Sequence, residues 1–304
     1  MRKTCTILAA LAAIALAPAT ALANGKAVEE KNVLSGKASL DPEMGYIFLH
    51  ADNRTNGMFL RMPDDSTRAE YLTDWEEAFA KEEKKYPDKL RRWEIDVAIA
   101  RQTKSAPPEK PLPPDRETFS VGAIELRDVV SYGPQFVFSK GERFSYLTEV
   151  KPGTYIYYGP IFYGPGLVPA GSCYCMGSVK FEVKAGVVTD LGNSLIASPR
   201  REPPYDVGTQ VMLKMEEDRI AKGKSSILPT QDVAYGVPES LKDWPVVQAE
   251  LHASGKINNF YGINVNRMPP IPGVLAYRRD TVIDVQTGED LPNPALQAQV
   301  RIKD

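Results

Sequence analysis

Two cysteines and a methionine lie within four positions of one another, at Cys173, Cys175 and Met176. Two thiolates and a thioether are soft ligands of the kind that bind Cu(I). In an oxidising compartment the same cysteines form a disulfide instead. In a straight strand their Cα atoms lie about 6.6 Å apart, near the upper limit for a bridge, so bonding requires a bend. Because a lone C-x-C lacks the second ligand pair of zinc motifs, the pattern favours a disulfide over free thiols and over a copper or thiol-redox site.

Aromatic side chains surround two Tyr-Gly-Pro repeats just before the cysteines. A tyrosine ring has a flat apolar body and a polar tip, so an exposed ring can contact a ligand or a partner. Strands also use aromatic residues for packing, and the alternative is that these rings fill the edge of a sandwich. The candidate contact residues are Tyr155, Tyr157, Tyr158, Phe162, Tyr163 and Tyr174.

Signals for catalysis are weak. His50 and Asp52 share one face of a strand, which favours a structural histidine over a base with its orienting carboxylate. Gly192-Asn193-Ser194-Leu195 does not match the nucleophile-elbow motif, and the sequence contains no phosphate-binding loop or dinucleotide fingerprint. We therefore expect no catalytic residue and no cofactor, with copper as the alternative.

Several segments have the pattern of β-strands. Val179, Phe181 and Val183 alternate with polar residues, which predicts a half-buried antiparallel strand. Asn56-Gly57 predicts a hairpin between the strands at 46–50 and 57–62. Short strands separated by Pro/Gly turns indicate a mainly β protein, an antiparallel β-sandwich over residues 37–198.

A helical insertion interrupts the strand patterns at residues 66–104. Thr67 and Glu70 form a capping box, and apolar residues follow at spacings of three and four. Pro87 predicts a second or kinked helix. A Pro-rich connector at 105–116 is expected to be extended and semi-rigid.

The final third, residues 199–304, is harder to interpret. A helix is expected at Gln210–Lys222, a helical turn at Pro238–Trp244, and strands at 260–265, 274–277 and 281–285. Because prolines between 268 and 273 cannot donate to a ladder, we expect a Pro-rich C-terminal extension that packs on the sandwich like a strap.

Part of the chain resembles the β-sandwich modules of transthyretin-like (prealbumin-like) form found in exported bacterial proteins of unknown function. Two patterns carry the resemblance: the V-x-P-G-x-Y turn into a strand at 150–155, and the F-x-V-x-x-G hairpin at 181–186, followed by Thr189 and Leu191. The match covers about 50 residues and implies a fold but no catalytic residue.

The first 23 residues have the pattern of a secretory signal peptide. Arg2 and Lys3 are positive, Ile7–Ala17 is apolar, and Ala21-Leu22-Ala23 is a cleavage pattern. Residues 24–36 are polar and predict a flexible N-terminal segment. Cys5 precedes the apolar run, so we expect an exported, unanchored periplasmic protein rather than a lipoprotein, and no later run is apolar enough to span a membrane.

Charge and composition restrict the class of partner. The formal charge is −2, and −4 without Arg2 and Lys3, with no basic stripe of the kind that binds nucleic acid. We expect a binding or scaffolding protein whose partner is an envelope protein or a small ligand. The alternative is a periplasmic thiol-redox or copper-handling protein.

Overall fold

The computed structural model describes residues 25–141, 143–163, 168–197, 207–224 and 232–297. The described chain is mainly β, in several sheets with few helices, which is compatible with the predicted sandwich. Its helices are α1 (Glu30–Leu34), α2 (Asp65–Thr103) and α3 (Val207–Ala221), with short 3₁₀ turns at Ile124–Leu126 and Glu239–Leu241. Its strands are β1 (Lys26–Val28), β2 (Gly45–Ala51), β3 (Gly57–Arg61), β4 (Val129–Tyr132), β5 (Ser139–Lys140), β6 (Phe144–Val150), β7 (Gly153–Gly159), β8 (Ile161–Phe162), β9 (Ala170–Cys173), β10 (Ser178–Val183), β11 (Val188–Asp190), β12 (Val246–Gln248), β13 (His252–Ser254), β14 (Asn264–Val265), β15 (Leu275–Arg278) and β16 (Thr281–Asp284).

Two large sheets share the main core. The first has the order β1-β6-β2-β11-β12 with β5 beside β6, and the second has the order β13-β10-β7-β3-β4. Ile47 and Tyr146 of the first sheet lie in one buried cluster with Phe59 and Phe181 of the second. The expectation of purely antiparallel strands is wrong, because β11 pairs in parallel with both β2 and β12.

Short connections carry the chain from one sheet to the other. The predicted hairpin at Asn56-Gly57 is wrong, since β2 belongs to the first sheet and β3 to the second. The predicted hairpin at 181–186 is also wrong, because β10 and β11 belong to different sheets. The turn at 151–153 likewise leads from β6 into β7 of the other sheet. Each turn is where it was predicted, but the strand that follows has different partners.

The N-terminal residues from Gly25 onward form a strand and a short helix against the first sheet. β1 pairs with β6, with Val28 opposite Leu147, and α1 follows it. Val28 is buried in a second cluster with Tyr46, Phe48 and Leu241 on the outer side of the first sheet. From Gly25 onward the segment predicted to be flexible therefore contains a strand and a short helix, and its apolar side chains cover that sheet. The signal-peptide pattern lies outside the described residues.

The C-terminal third completes the body instead of only lying over it. β12 adds an edge strand to the first sheet, and β13 adds one to the second. Leu251, Met268 and Val282 are buried in the main core, and Phe260 lies in a third cluster outside the second sheet. The C-terminal third is therefore part of the two-sheet body and not only a strap that lies across it. Helix α3, the turn at 239–241 and the hairpin β15–β16 lie close to their predicted positions.

The helical insertion is one continuous helix of 39 residues with Pro87 inside it, so of the two predicted alternatives, a second helix or a kinked one, the separate second helix is wrong. At 1.5 Å per residue the helix is about 58 Å long. Asp64, not Thr67, caps its N-terminus, because its carboxylate accepts the Thr67 backbone N–H at 2.8 Å. No residue of α2 belongs to the three core clusters of the described chain.

Candidate functional site

Cys173 and Cys175 form a disulfide, as the sequence favoured. Their Cα atoms are 5.1 Å apart, closer than in a straight strand, and both residues are fully buried. Gly171 and Gly177, with φ of 128° and 134°, provide the bend on either side. Each sulfur is bonded to the other, so neither is available as a thiolate ligand.

The copper arrangement is not assembled around Met176. This residue is half-buried, and its backbone N–H donates to the Asn266 carbonyl. Among the described residues, no three His, Cys, Asp or Glu side chains are grouped so that they could share a metal ion. His50 lies in β2 and His252 in β13, so the two histidines belong to different sheets.

We expect the peptide that carries Cys173 and Cys175 to resist alkylation in denaturant until reductant is added, and then to gain two alkyl groups. Mass spectrometry of the tryptic peptide measures this directly. Because the loop contains only three residues, the disulfide restricts the unfolded chain little, so a Cys173→Ser/Cys175→Ser variant should lose only about 1–2 kcal/mol of stability. Alkylation of both cysteines without reductant would contradict the assignment.

The candidate tyrosines are mainly core residues rather than a binding surface. Tyr155, Tyr157 and Tyr158 are at most 2% exposed, which corrects the expectation that they contact a ligand. Both faces of β7 are covered, so its alternate side chains enter two different clusters. Burial raises the pKa of all three hydroxyls. Those of Tyr155 and Tyr158 donate to the carbonyls of Lys151 and Asn258.

The remaining three aromatic candidates, Phe162, Tyr163 and Tyr174, are half-buried. Tyr174 packs edge-on against Tyr157 at 5.6 Å between ring centroids, and burial raises its pKa. Tyr163 packs against Tyr261 at 5.9 Å. The six candidates are thus divided between interior packing and a partly covered layer, and they do not form one open surface.

His50 has a structural environment. It is 6% exposed, and its ring packs edge-on against Phe48 at 6.3 Å. Burial is the main cause that lowers its pKa, with the positive charge of Arg143 second. The Ser194 hydroxyl donates to the Leu191 carbonyl, so it is already engaged by the local turn. These contacts agree with the structural interpretation of His50.

The feature that projects from the body is the arm, which we define as residues 65–122: helix α2 and the chain that returns along it. The return segment includes the Pro-rich connector and has no regular secondary structure up to residue 122. Aromatic side chains of the helix donate hydrogen bonds to backbone carbonyls of the return segment, and the two chains run antiparallel. The pairs are Tyr71 with Gly122 at 2.9 Å, Trp75 with Phe119 at 3.1 Å, Tyr86 with Pro111 at 3.4 Å and Trp93 with Pro108 at 2.9 Å. The return segment therefore covers one side of the helix along most of the helix's length.

Ring contacts reinforce this side of the arm. Trp75 stacks on Phe79 at 5.3 Å, and Phe119 from the return segment packs edge-on against both. The Arg116 guanidinium lies 4.8 Å from the Trp75 ring centroid. Sequence reasoning missed this pairing, although tryptophan N–H groups need acceptors and a Pro-rich segment has carbonyls that no ladder uses.

Arg61 attaches the arm to the body. It is 9% exposed, and it donates to the Pro152 carbonyl at 2.8 Å, to Thr67 at 3.0 Å and to Asp128 at 3.0 Å. It also pairs with Asp64, the helix N-cap. The Thr67 backbone N–H is the main cause that lowers the pKa of Asp64 to about 2. One guanidinium thus joins the first turn of α2 to the residues that precede β4 and β7, the two strands that flank β3 in the second sheet.

Gly153 explains why the V-x-P-G-x-Y pattern contains a glycine here. Its φ is 142°, and a Cβ atom at this position would lie 2.7 Å from the Arg61 Nε. Any side chain here would displace the Arg61 guanidinium, which donates a hydrogen bond to the neighbouring Pro152 carbonyl. The motif that suggested a turn therefore also provides the space for the arm's attachment.

The other side of the arm is open. Glu70, Glu77, Lys84 and Arg91 recur at intervals of seven, and all four are exposed. Exposed apolar residues continue this side near the end of the helix, where Ile95 and Ile99 are 55% and 52% exposed. The arm therefore has one side that its own chain covers and one side that is available for contact.

Comparisons with known proteins do not assign a family. A scan against models of protein families, a search of curated proteins and a search of solved structures each found no match. Within the described ranges, no helix combines the length and the apolar character that crossing a bilayer requires.

Proposed function

We propose that this chain is an exported binding or scaffolding protein of the cell envelope, and that the arm is its working surface. One observation carries the proposal: the arm adds nothing to the core clusters, yet it is anchored by a buried arginine and covered along its length on one side only. Packing of the body does not require such an element. A helix held away from the body and left open on one side is suited to contact with another protein.

The proposed location rests on the signal-peptide pattern of residues 1–23, and the proposed form of the body on the resemblance to transthyretin-like modules. The two-sheet body is compatible with that resemblance at the level of fold. The thiol-redox or copper alternative receives no support from the buried Cys173–Cys175 disulfide, which uses both sulfurs.

Site-specific photo-crosslinking in cells tests the proposal. With a crosslinking amino acid at Ile99 or Lys84 on the open side of the arm, we expect adducts of defined size. With the same amino acid at Glu182, an exposed position of β10, we expect none. Adducts from Glu182 but not from the arm would overturn the proposal.

An arm-less variant provides the second readout. Tyr71 and Gly122 lie together at the base of the arm, since the Tyr71 hydroxyl donates to the Gly122 carbonyl at 2.9 Å. Residues 72–121 can therefore be replaced by a short Gly-Ser linker. We expect this variant to keep the Cys173–Cys175 disulfide and cooperative unfolding, and to lose its association with its partner, measured by co-purification from cells. Unchanged association in a folded arm-less variant would refute the role of the arm.

A further inference from the structure

Charge is divided along the arm. From Asp65 to Phe79 the helix has five acidic residues and one basic residue, whereas from Ala80 to Arg92 it has six basic residues and three acidic ones. The half nearer the body is therefore negative and the next part positive. Opposite charges placed so close together along one element attract the reverse arrangement in a neighbouring molecule.

The division is present on the open side of the helix. Residues seven apart lie on one side of an α-helix, and this row runs from Glu70 and Glu77 to Lys84 and Arg91. All four are exposed, and the side covered by the connector is formed by other positions, such as Trp75 and Trp93. Glu70, Glu77 and Lys84 form no ion pair with the described residues, and Arg91 pairs only with its exposed neighbour Asp88.

We infer that the partner of the arm is the arm of a second copy of this chain, packed antiparallel along this open side. In an antiparallel register that places Glu77 opposite Lys84, Glu70 lies opposite Arg91, because both pairs have the same midpoint along the helix. Two-fold symmetry repeats each pair, so four oppositely charged contacts form.

A parallel arrangement of two arms, in contrast, places the acidic residues Glu70 and Glu77 of one copy beside those of the other. It also places the basic residues Lys84 and Arg91 beside their own counterparts. Like charges directly opposite each other destabilise a pairing. The order of charges along the helix therefore favours the arm of a second copy as the partner, and it favours the antiparallel orientation. This inference rests on the proposed function, in which the arm is the contact surface.

Charge-reversal variants test the inference. In the first variant Glu70→Lys and Glu77→Lys make the row positive throughout, and in the second Lys84→Glu and Arg91→Glu make it negative throughout. Glutamate and lysine have similar helix propensities and all four positions are exposed, so we expect both variants to fold. Circular dichroism of each variant checks that the helix content is unchanged.

Sedimentation equilibrium of the full chain then measures association. We expect the wild-type chain to dimerise in about 0.01 M salt and to dissociate in about 1 M salt, where the screening length falls from about 30 Å to about 3 Å. Each variant alone should dimerise about tenfold more weakly or worse. An equal mixture of the two variants should form a mixed dimer about as readily as the wild type.

The matched controls change the same number of charges away from the arm. Glu43→Lys with Glu182→Lys, and Lys140→Glu with Lys184→Glu, alter exposed residues of the body and should leave dimerisation unchanged. A monomeric wild-type chain at low salt, or a mixture that remains monomeric, would overturn the inference.

The two proposals fail separately. Arm adducts in cells with the size of the chain plus a different protein would contradict the second-copy partner and leave the proposed function intact. Absence of arm adducts in cells, with salt-sensitive dimers of the purified chain, would contradict the proposed function and leave the pairing intact.

Discussion

Replacing Arg61 with methionine is expected to lower the free energy of unfolding by about 3 kcal/mol, because it removes one partner of a buried ion pair together with its other hydrogen bonds. The Asp128 side chain is only 7% exposed, and the ion pair that it keeps with Lys151 at 3.4 Å involves a half-exposed lysine. Urea denaturation followed by circular dichroism measures the change.

The matched control is Lys89→Met on the arm. Lys89 pairs with Glu82, but its side chain is 53% exposed, so its loss should cost no more than about 1 kcal/mol. If Arg61→Met costs as little as this control, the attachment of the arm to the body does not depend on the guanidinium. An Arg61→Lys variant should fall between the two, since lysine keeps the charge but cannot donate in four directions.

Phe59→Ala is expected to destabilise the chain by about 3–5 kcal/mol through the cavity that it leaves in the main core. Phe59 is 1% exposed, and its ring lies 5.5 Å from those of Tyr132, Tyr157 and Phe181. These neighbours come from three different strands of the second sheet, so they cannot all move to fill the space. Thermal and urea unfolding provide independent measurements.

Phe136→Ala is the control for the same chemical change. Phe136 is 64% exposed, so its truncation should alter stability by about 0.5 kcal/mol or less. Equal effects at the two positions would show that the shared core of the two sheets is not the main source of stability.

The strands were largely predictable from the sequence, but their partners were not. Alternation identifies Val179, Phe181 and Val183 as one buried face, and the structure buries all three. The turn at Asn56-Gly57 gives no indication of whether the chain folds back beside β2 or crosses to the second sheet. That choice depends on which other segments cover the strand, and those segments lie up to about 200 residues away.

The helix was predictable in position but not in continuity. Pro87 removes one backbone donor and predicts a second or kinked helix. In the structure, the half-buried Tyr86 beside it contacts the connector, and Trp93, about two turns later, does so again. The return segment therefore contacts the helix on both sides of the proline, and a local rule cannot include a segment 25 residues further along the chain.

The disulfide was predictable because only two cysteines follow the signal-peptide pattern, and one bend brings them together. The role of the tyrosines was not. Their composition suits both a binding surface and a core, and only the layers on either side of β7 decide between them. Arg61 gave no signal at all in the sequence, since its partners Asp64, Asp128 and Pro152 lie 3, 67 and 91 positions further along the chain.

The two edge strands from the C-terminal third have a consequence for the order in which the molecule can form. β12 and β13 are made after all the other strands of the two large sheets, and the buried Met268 and Val282 come later still. A nascent chain that ends before residue 245 therefore has neither sheet complete and lacks part of the shared core. The two large sheets can therefore be completed only after β13 has been synthesised, which places the last steps of folding late in the production of the chain.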